Sequence, residues 1–382
     1  MATGASPDSD LSRTGYSNAI GTTPQSSRWL FSAPVDLAAF LGSAAVSIVL
    51  LAIGQRYGLL ENDSPDWTWI SLILLIDVAH VYATAFRVYF DRAEFQRRTW
   101  LYLLTPALAY LIGVALYSEG ERHFWRVLAY LAVFHFVRQQ YGWVALYRSK
   151  CGETGAVGRW IDTAAIYAAT CYPLIYWHCR LPRQFSWFVE DDFSGLPSWC
   201  ASVAAPVYLL ALGSYVIRSI YRGVSLRRFN PGKDIVVATT AVCWYLGIVA
   251  FNSDYAFTVT NVVIHGVPYL VLVYWYWSSR SSPPGTVLSF RRGIVVFLAT
   301  VWLFAYVEEL FWDRGVWHDR SWLFGESWEL SDWRMYYVPL LAVPQVTHYL
   351  LDGFIWRRRS NPRFSRLVPS VESVANSATG SP

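Results

Sequence analysis

Four histidines lie inside long apolar runs, each beside other polar residues at helical spacing. In LIDVAHVYATAFRVYF, Asp77, His80, Thr84 and Arg87 stand at i, i+3, i+7 and i+10, so a helix puts them on one face. In AVFHFVRQQYGW, His135, Arg138 and Gln139 share a face, with Gln140 beside it. In TVTNVVIHGVPYL, Asn261 and His265 are one turn apart, and Gly266 and Pro268 follow. In VPQVTHYLLDGFIWRRR, Gln345, His348 and Asp352 stand at i, i+3 and i+7. Imidazole and carboxylate groups are ligands for Fe, Zn, Cu or Mn. An ionisable side chain at bilayer depth is costly and marks function by default.

These residues point to a transition-metal site, with iron the first choice and Zn, Cu or Mn the others. Asp77 with His80 and His348 with Asp352 are one turn apart and suit chelation from one helix. His135 and His265 complete the set. Six ligands from four helices match a dinuclear centre of the kind built inside helix bundles. A mononuclear site, with one carboxylate orienting a histidine, is the second arrangement. Arg138, Gln139, Asn261 and Gln345 are expected behind the ligands or against the substrate. Arg138 requires an anionic partner: Asp77, Asp352 or a substrate head. Thr84 reads as helix packing. Glu308 and Glu309 read as exposed at a helix end. A metal at this depth meets a lipid-soluble substrate, so the expected chemistry is oxidation by O₂ of an acyl chain, sterol or isoprenoid. No HxxxH or HxxHH box is present. The same residues also fit a proton-coupled transporter with a buried polar pathway. A b-type haem held by two histidines, or a structural subunit, is the third reading.

The elements that carry these residues are apolar runs of span length. The chain has 382 residues, 54% of them hydrophobic and 15% charged, where a soluble protein carries about 25% charged residues. That excludes a disordered, collagen-like or coiled-coil chain. The expected fold is an all-α, polytopic membrane protein. Ten spans fall near 35–54, 67–90, 99–118, 124–147, 160–178, 199–221, 233–252, 255–277, 291–312 and 333–356, each near the length that crosses a bilayer. A single helical bundle is expected over 33–358. A polar, disordered tail precedes it at 1–32, without a cleavable signal peptide. A basic and then disordered tail follows at 359–382.

Most of the 31 Lys and Arg fall on the side of the two termini, which places both in the cytoplasm, with the chain in the cell (inner) membrane. The net charge of +4 is then an orientation signal and no sign of nucleic acid. Arg218, Arg222, Arg227, Arg228, Lys233 and Arg357 to Arg359 are expected at anionic headgroups. In this topology the four histidine-bearing helices run the same way. At 1.5 Å per residue their imidazoles lie roughly 10–22 Å above the inner boundary, in one slab. Tryptophans such as Trp125, Trp143, Trp177, Trp199 and Trp312 read as interfacial anchors. Cys179 and Cys200 flank one outer loop and could form a disulfide in an oxidising compartment, but spacing alone does not show the geometry.

Overall fold

The computed structural model describes residues 28–62, 64–279 and 287–368, with the backbone alone for 287–291. Most of both expected tails, 1–27 and 369–382, lies outside the described residues. The fold is all-helical, with no strand among the described residues. Its long helices are α1 Ala33–Arg56, α2 Asp66–Arg87, α3 Thr99–Ser118, α4 Glu121–Lys150, α5 Ala156–His178, α6 Trp199–Val224, α7 Pro231–Ala250, α8 Asp254–Ser278, α9 Val287–Trp312 and α10. The last is broken: Arg334–Leu341 and Val343–Ile355 meet at Ala342. Pro344 follows the break, in the first turn of the second half, where its missing N–H costs nothing.

Local chemistry sets the helix starts. Ser32 accepts from the Val35 amide before α1, Asn230 from Lys233 before Pro231 opens α7, and Ser253 from Ala256 at α8. Seven of the helices are long and apolar enough to cross a membrane: α1, α2, α3, α6, α7, α8 and the α9 region Arg292–Trp317. The remaining three, α4, α5 and α10, do not reach that combination. The outward faces of α3 and α6 are apolar and exposed, with Leu104, Leu108, Leu111 and Ile112 on one and Leu209, Leu210, Ile217 and Ile220 on the other. Faces of this extent suit hydrocarbon rather than water. By contrast α8 is central: 83% of its most apolar stretch is buried, against 11% in α3 and α6.

Two helices that carry histidines depart from α geometry just before them. The backbone is π-helical over Trp69–Val78 in α2 and Thr258–Val262 in α8. Such turns are uncommon and are found often at functional sites. Next to His265, α8 presses on α2. A Cβ at Gly266 would stand 2.5 Å from Ile76 Cγ2 and 3.3 Å from the Ile76 carbonyl. Gly266→Ala is therefore expected to cost about 1–3 kcal/mol through overpacking. Thermal unfolding in detergent checks this, and an unchanged melting temperature would contradict the close contact.

A buried ionic network ties α4 to α7. Asp162 and Glu153 face Arg148, Arg218, Arg222 and Lys233. Lys233 Nζ lies 2.8 Å from Glu153 and 3.0 Å from Asp162, and Arg218 lies 2.9 Å from Asp162. Asn230 donates to the second Glu153 oxygen at 2.7 Å. Arg218, Arg222 and Lys233 thus turn inward instead of meeting headgroups, because two buried carboxylates draw them. Burial alone would lift the Glu153 carboxyl. Lys233, with Asn230 and Arg222, outweighs it and holds the group below the usual range.

Three further expectations are corrected. The packed body extends past 358 and begins before 33: Phe364, in the short helix Pro362–Leu367, is buried against Trp356, and Leu30 is buried in the core. Trp125, Trp143, Trp177 and Trp312 are core residues, while Trp199 stays exposed. Cys179 and Cys200 are both free thiols.

Candidate metal centre

Four helices each bring one imidazole to the centre of the bundle: His80 from α2, His135 from α4, His265 from α8 and His348 from the second half of α10. All four are at most 2% exposed. His80 Nε2 is 3.1 Å from His265 Nε2, and His135 Nε2 is 3.1 Å from His348 Nε2. Ring nitrogens of His80, His135 and His348 lie within 4.8 Å of one another. Two nitrogens bound to one ion at the usual 2.0–2.1 Å stand about 2.9–3.4 Å apart. The two 3.1 Å pairs are in that range, and the wider triad would have to close by more than an ångström around an ion.

On the opposite edges, one ring is hydrogen-bonded and two face carboxylates at longer range. His348 Nδ1 is 2.7 Å from Thr84 Oγ1, whose own neighbour at 3.1 Å is the Tyr269 hydroxyl. His80 Nδ1 faces Asp77 at 3.6 Å, and His135 Nδ1 faces Asp352 at 3.8 Å. Asp77 and Asp352 therefore stand behind imidazoles, on the edge away from the Nε2 atoms. Phe136 stacks on His265 at 3.5 Å between centroids, and Tyr349 on His135 at 4.9 Å. These contacts fix the planes of two rings before any ligand arrives.

The residues expected to support the site divide. Gln139 donates to the His265 carbonyl at 2.8 Å and so ties α4 to α8. Gln345 donates to Glu308 at 3.2 Å rather than to a histidine. Asn261 stays on its own helix, donating to the Phe257 carbonyl at 3.3 Å and meeting Thr260 at 3.1 Å. Arg138 is exposed, pairs with neither Asp77 nor Asp352, and donates to the Tyr167 hydroxyl at 2.5 Å.

Two groups were missed or misplaced by the sequence reading. Thr84 is a direct partner of His348 and more than packing. Glu308 and Glu309 are buried, not exposed. Glu308 accepts from Trp312 at 3.1 Å as well as from Gln345. The available signal was the apolar sequence on both sides of the pair, in FAYVEELFW. Asp77 Oδ1, Gln345 Oε1 and Glu308 Oε2 are buried without a hydrogen-bond partner, an expensive condition unless something polar meets them.

A cavity of about 520 Å³ reaches this centre from the side. His135, Gln139, Asp352, Tyr269 and Tyr349 line its inner wall, and Arg138 lines it further along α4. No family model, curated protein or solved structure matches the chain.

Proposed function

We propose that the chain is an integral membrane metalloenzyme that oxidises a lipid-soluble substrate. In this reading ten helices span the membrane with both termini in the cytoplasm, and α4, α5 and α10 cross it because their polar residues face the bundle interior. One observation carries the proposal: four buried imidazoles from four helices meet as two Nε2 pairs at 3.1 Å, His80 with His265 and His135 with His348, with His80, His135 and His348 within 4.8 Å of one another, while the far nitrogen of His348 meets Thr84 and those of His80 and His135 face carboxylates. Bracing the far nitrogen is how proteins orient histidine ligands and make them more basic. It favours a single metal ion held by His80, His135 and His348, with His265 beside His80 as a fourth donor, and Asp77, Asp352 and Thr84 as their supports. A carboxylate-bridged pair of ions is disfavoured, because both carboxylates lie on the far edges. Iron fits an oxidative role, and Zn, Cu and Mn accept the same donors. Haem is disfavoured too. Four ring pairs pack with centroids 4.6–5.0 Å apart, and the near-parallel His80 and His135 are 6.3 Å apart with His265 and His348 against both, which leaves no room for a macrocycle between two axial imidazoles.

A second reading, a proton-coupled carrier, is supported by the buried carboxylates Glu308 and Glu309 and the half-buried Asp77. Metal content and the visible spectrum of detergent-purified protein separate the two, measured beside a His265→Ala, His348→Ala variant. The expected result is one metal ion per chain, lost in the variant. Folded protein that was never exposed to chelator and carries no metal would overturn the enzyme reading and leave the carrier.

A further inference from the structure

We infer that the cavity beside His135 holds a long-chain amphiphile with an anionic head, and that Arg138 anchors the head. The inference rests on the proposed site at His135 and names what reaches it.

The cavity follows α4 from Leu131 to Leu146, roughly 22 Å at 1.5 Å per residue. That length suits a hydrocarbon chain. Leu131, Phe134, Leu146, Leu272 and Leu350 supply apolar wall. Phe134, Leu350 and Phe354 are exposed, so the opening lies on the outer, apolar surface of the bundle.

Arg138 is the exception in that wall. Among the described residues no carboxylate lies within ion-pair distance of it, nor of Arg357 at the other end of the lining. Three buried cations elsewhere are matched: Arg87 by Glu94, and Arg148 and Lys233 by Asp162. Arg138 is instead held by aromatic side chains. One N–H donates to Tyr167, and the guanidinium lies 4.9 Å from the Tyr141 ring. A guanidinium has five N–H donors, so this arrangement fixes its direction and leaves donors for a ligand. An unpaired cation within an apolar surface calls for an anion, and a carboxylate or phosphate matches the planar donor fork.

The position of the head has a consequence. Arg138 is one turn from His135, about 4.5 Å along the helix. Carbons close to the head, not the chain terminus, then lie nearest the histidines. Asp352, on the facing wall, repels the head and so favours the Arg138 side.

The test uses full-length, metal-loaded protein in neutral detergent, with a dansyl-labelled undecanoate as fluorescent probe. Competitors are oleate, an oleoyl lysophosphatidate and oleyl alcohol. At least one anionic competitor is expected to displace the probe at a concentration tenfold or more below that needed for the alcohol. Which one does so separates a carboxylate head from a phosphate head. In Arg138→Gln this preference is expected to vanish with metal content unchanged, and Arg138→Lys is expected to restore part of it. Gly142→Leu gives an independent check. Gly142 lines the cavity with open space around it, so the added side chain is expected to fill the cavity and weaken probe binding at least tenfold. Equal displacement by the alcohol, or a preference that survives Arg138→Gln, overturns the inference. Metal without head-group preference sinks this inference alone. Head-group preference in protein that binds no metal sinks the metalloenzyme reading alone.

Discussion

Asp162→Ala is expected to destabilise the protein by about 3–5 kcal/mol, the range found when one member of a buried ion pair is removed. The carboxylate is fully buried and meets Arg148, Arg218 and Lys233. Removing it leaves three cations to one remaining carboxylate, with Arg222 already on that group. A large drop in melting temperature in detergent is the expected readout. Losing Lys233 together with Asp162, as Asp162→Leu with Lys233→Met, should recover part of the loss, because the pair's desolvation penalty leaves with it. Arg122 and Asp191 are the contrast. They are 3.9 Å apart and 69% and 71% exposed, and Arg122→Ala should change stability by less than about 1 kcal/mol. A loss below about 1 kcal/mol for Asp162→Ala would mean that the network is hydrated and not buried. The depressed Glu153 carboxyl adds a direction in pH. Its contribution is complete above the ordinary carboxylate range and is lost as pH falls through its lowered folded value.

His80→Ala is expected to abolish metal binding, with affinity down by far more than 100-fold, whereas Asp77→Asn should cost about 10–100-fold. His80 is the most connected of the four. Its Nε2 is 3.1 Å from that of His265, and it belongs to the close triad with His135 and His348. Its loss breaks both the pair with His265 and the triad, leaving only the His135–His348 pair. Asp77 faces only the far nitrogen, so its loss leaves four donors and loosens one. Equilibrium dialysis against a competing chelator gives both numbers. Equal losses for the two variants would make Asp77 a ligand and restore the two-metal arrangement.

The histidines were legible because their cost at bilayer depth is visible in sequence. A residue type that is rare in apolar runs, found in four of them, had few other uses. Helix type was legible from run length, and the long helices sit where the apolar runs do. What was hidden depended on direction. The spacing that puts Asp77 and His80 on one face cannot show which ring nitrogen the carboxylate meets. Arg138 shares a helical face with His135 by count, yet its long side chain leaves toward Tyr167. Glu308 and Glu309 stand near the end of a run, where the apolar residues on both sides hint at burial and the contact of Gln345 in α10 with Glu308 shows it. The inward turn of Arg218, Arg222 and Lys233 was hidden for the same reason: their partners, Glu153 and Asp162, come from another loop and another helix.

The cavity mouth at Phe134, Leu350 and Phe354 opens sideways, among the side chains of the apolar exterior. On the proposed membrane reading, whatever occupies it comes from the surrounding film of lipid or detergent and not from the buffer. Its chemical potential there is set by its mole fraction in that film. Diluting vesicles with buffer should leave occupancy unchanged, while diluting the ligand with inert lipid should lower it. Affinity at this site is thus a property of a two-dimensional solution, and a constant in molar units has meaning only beside the amount of lipid present.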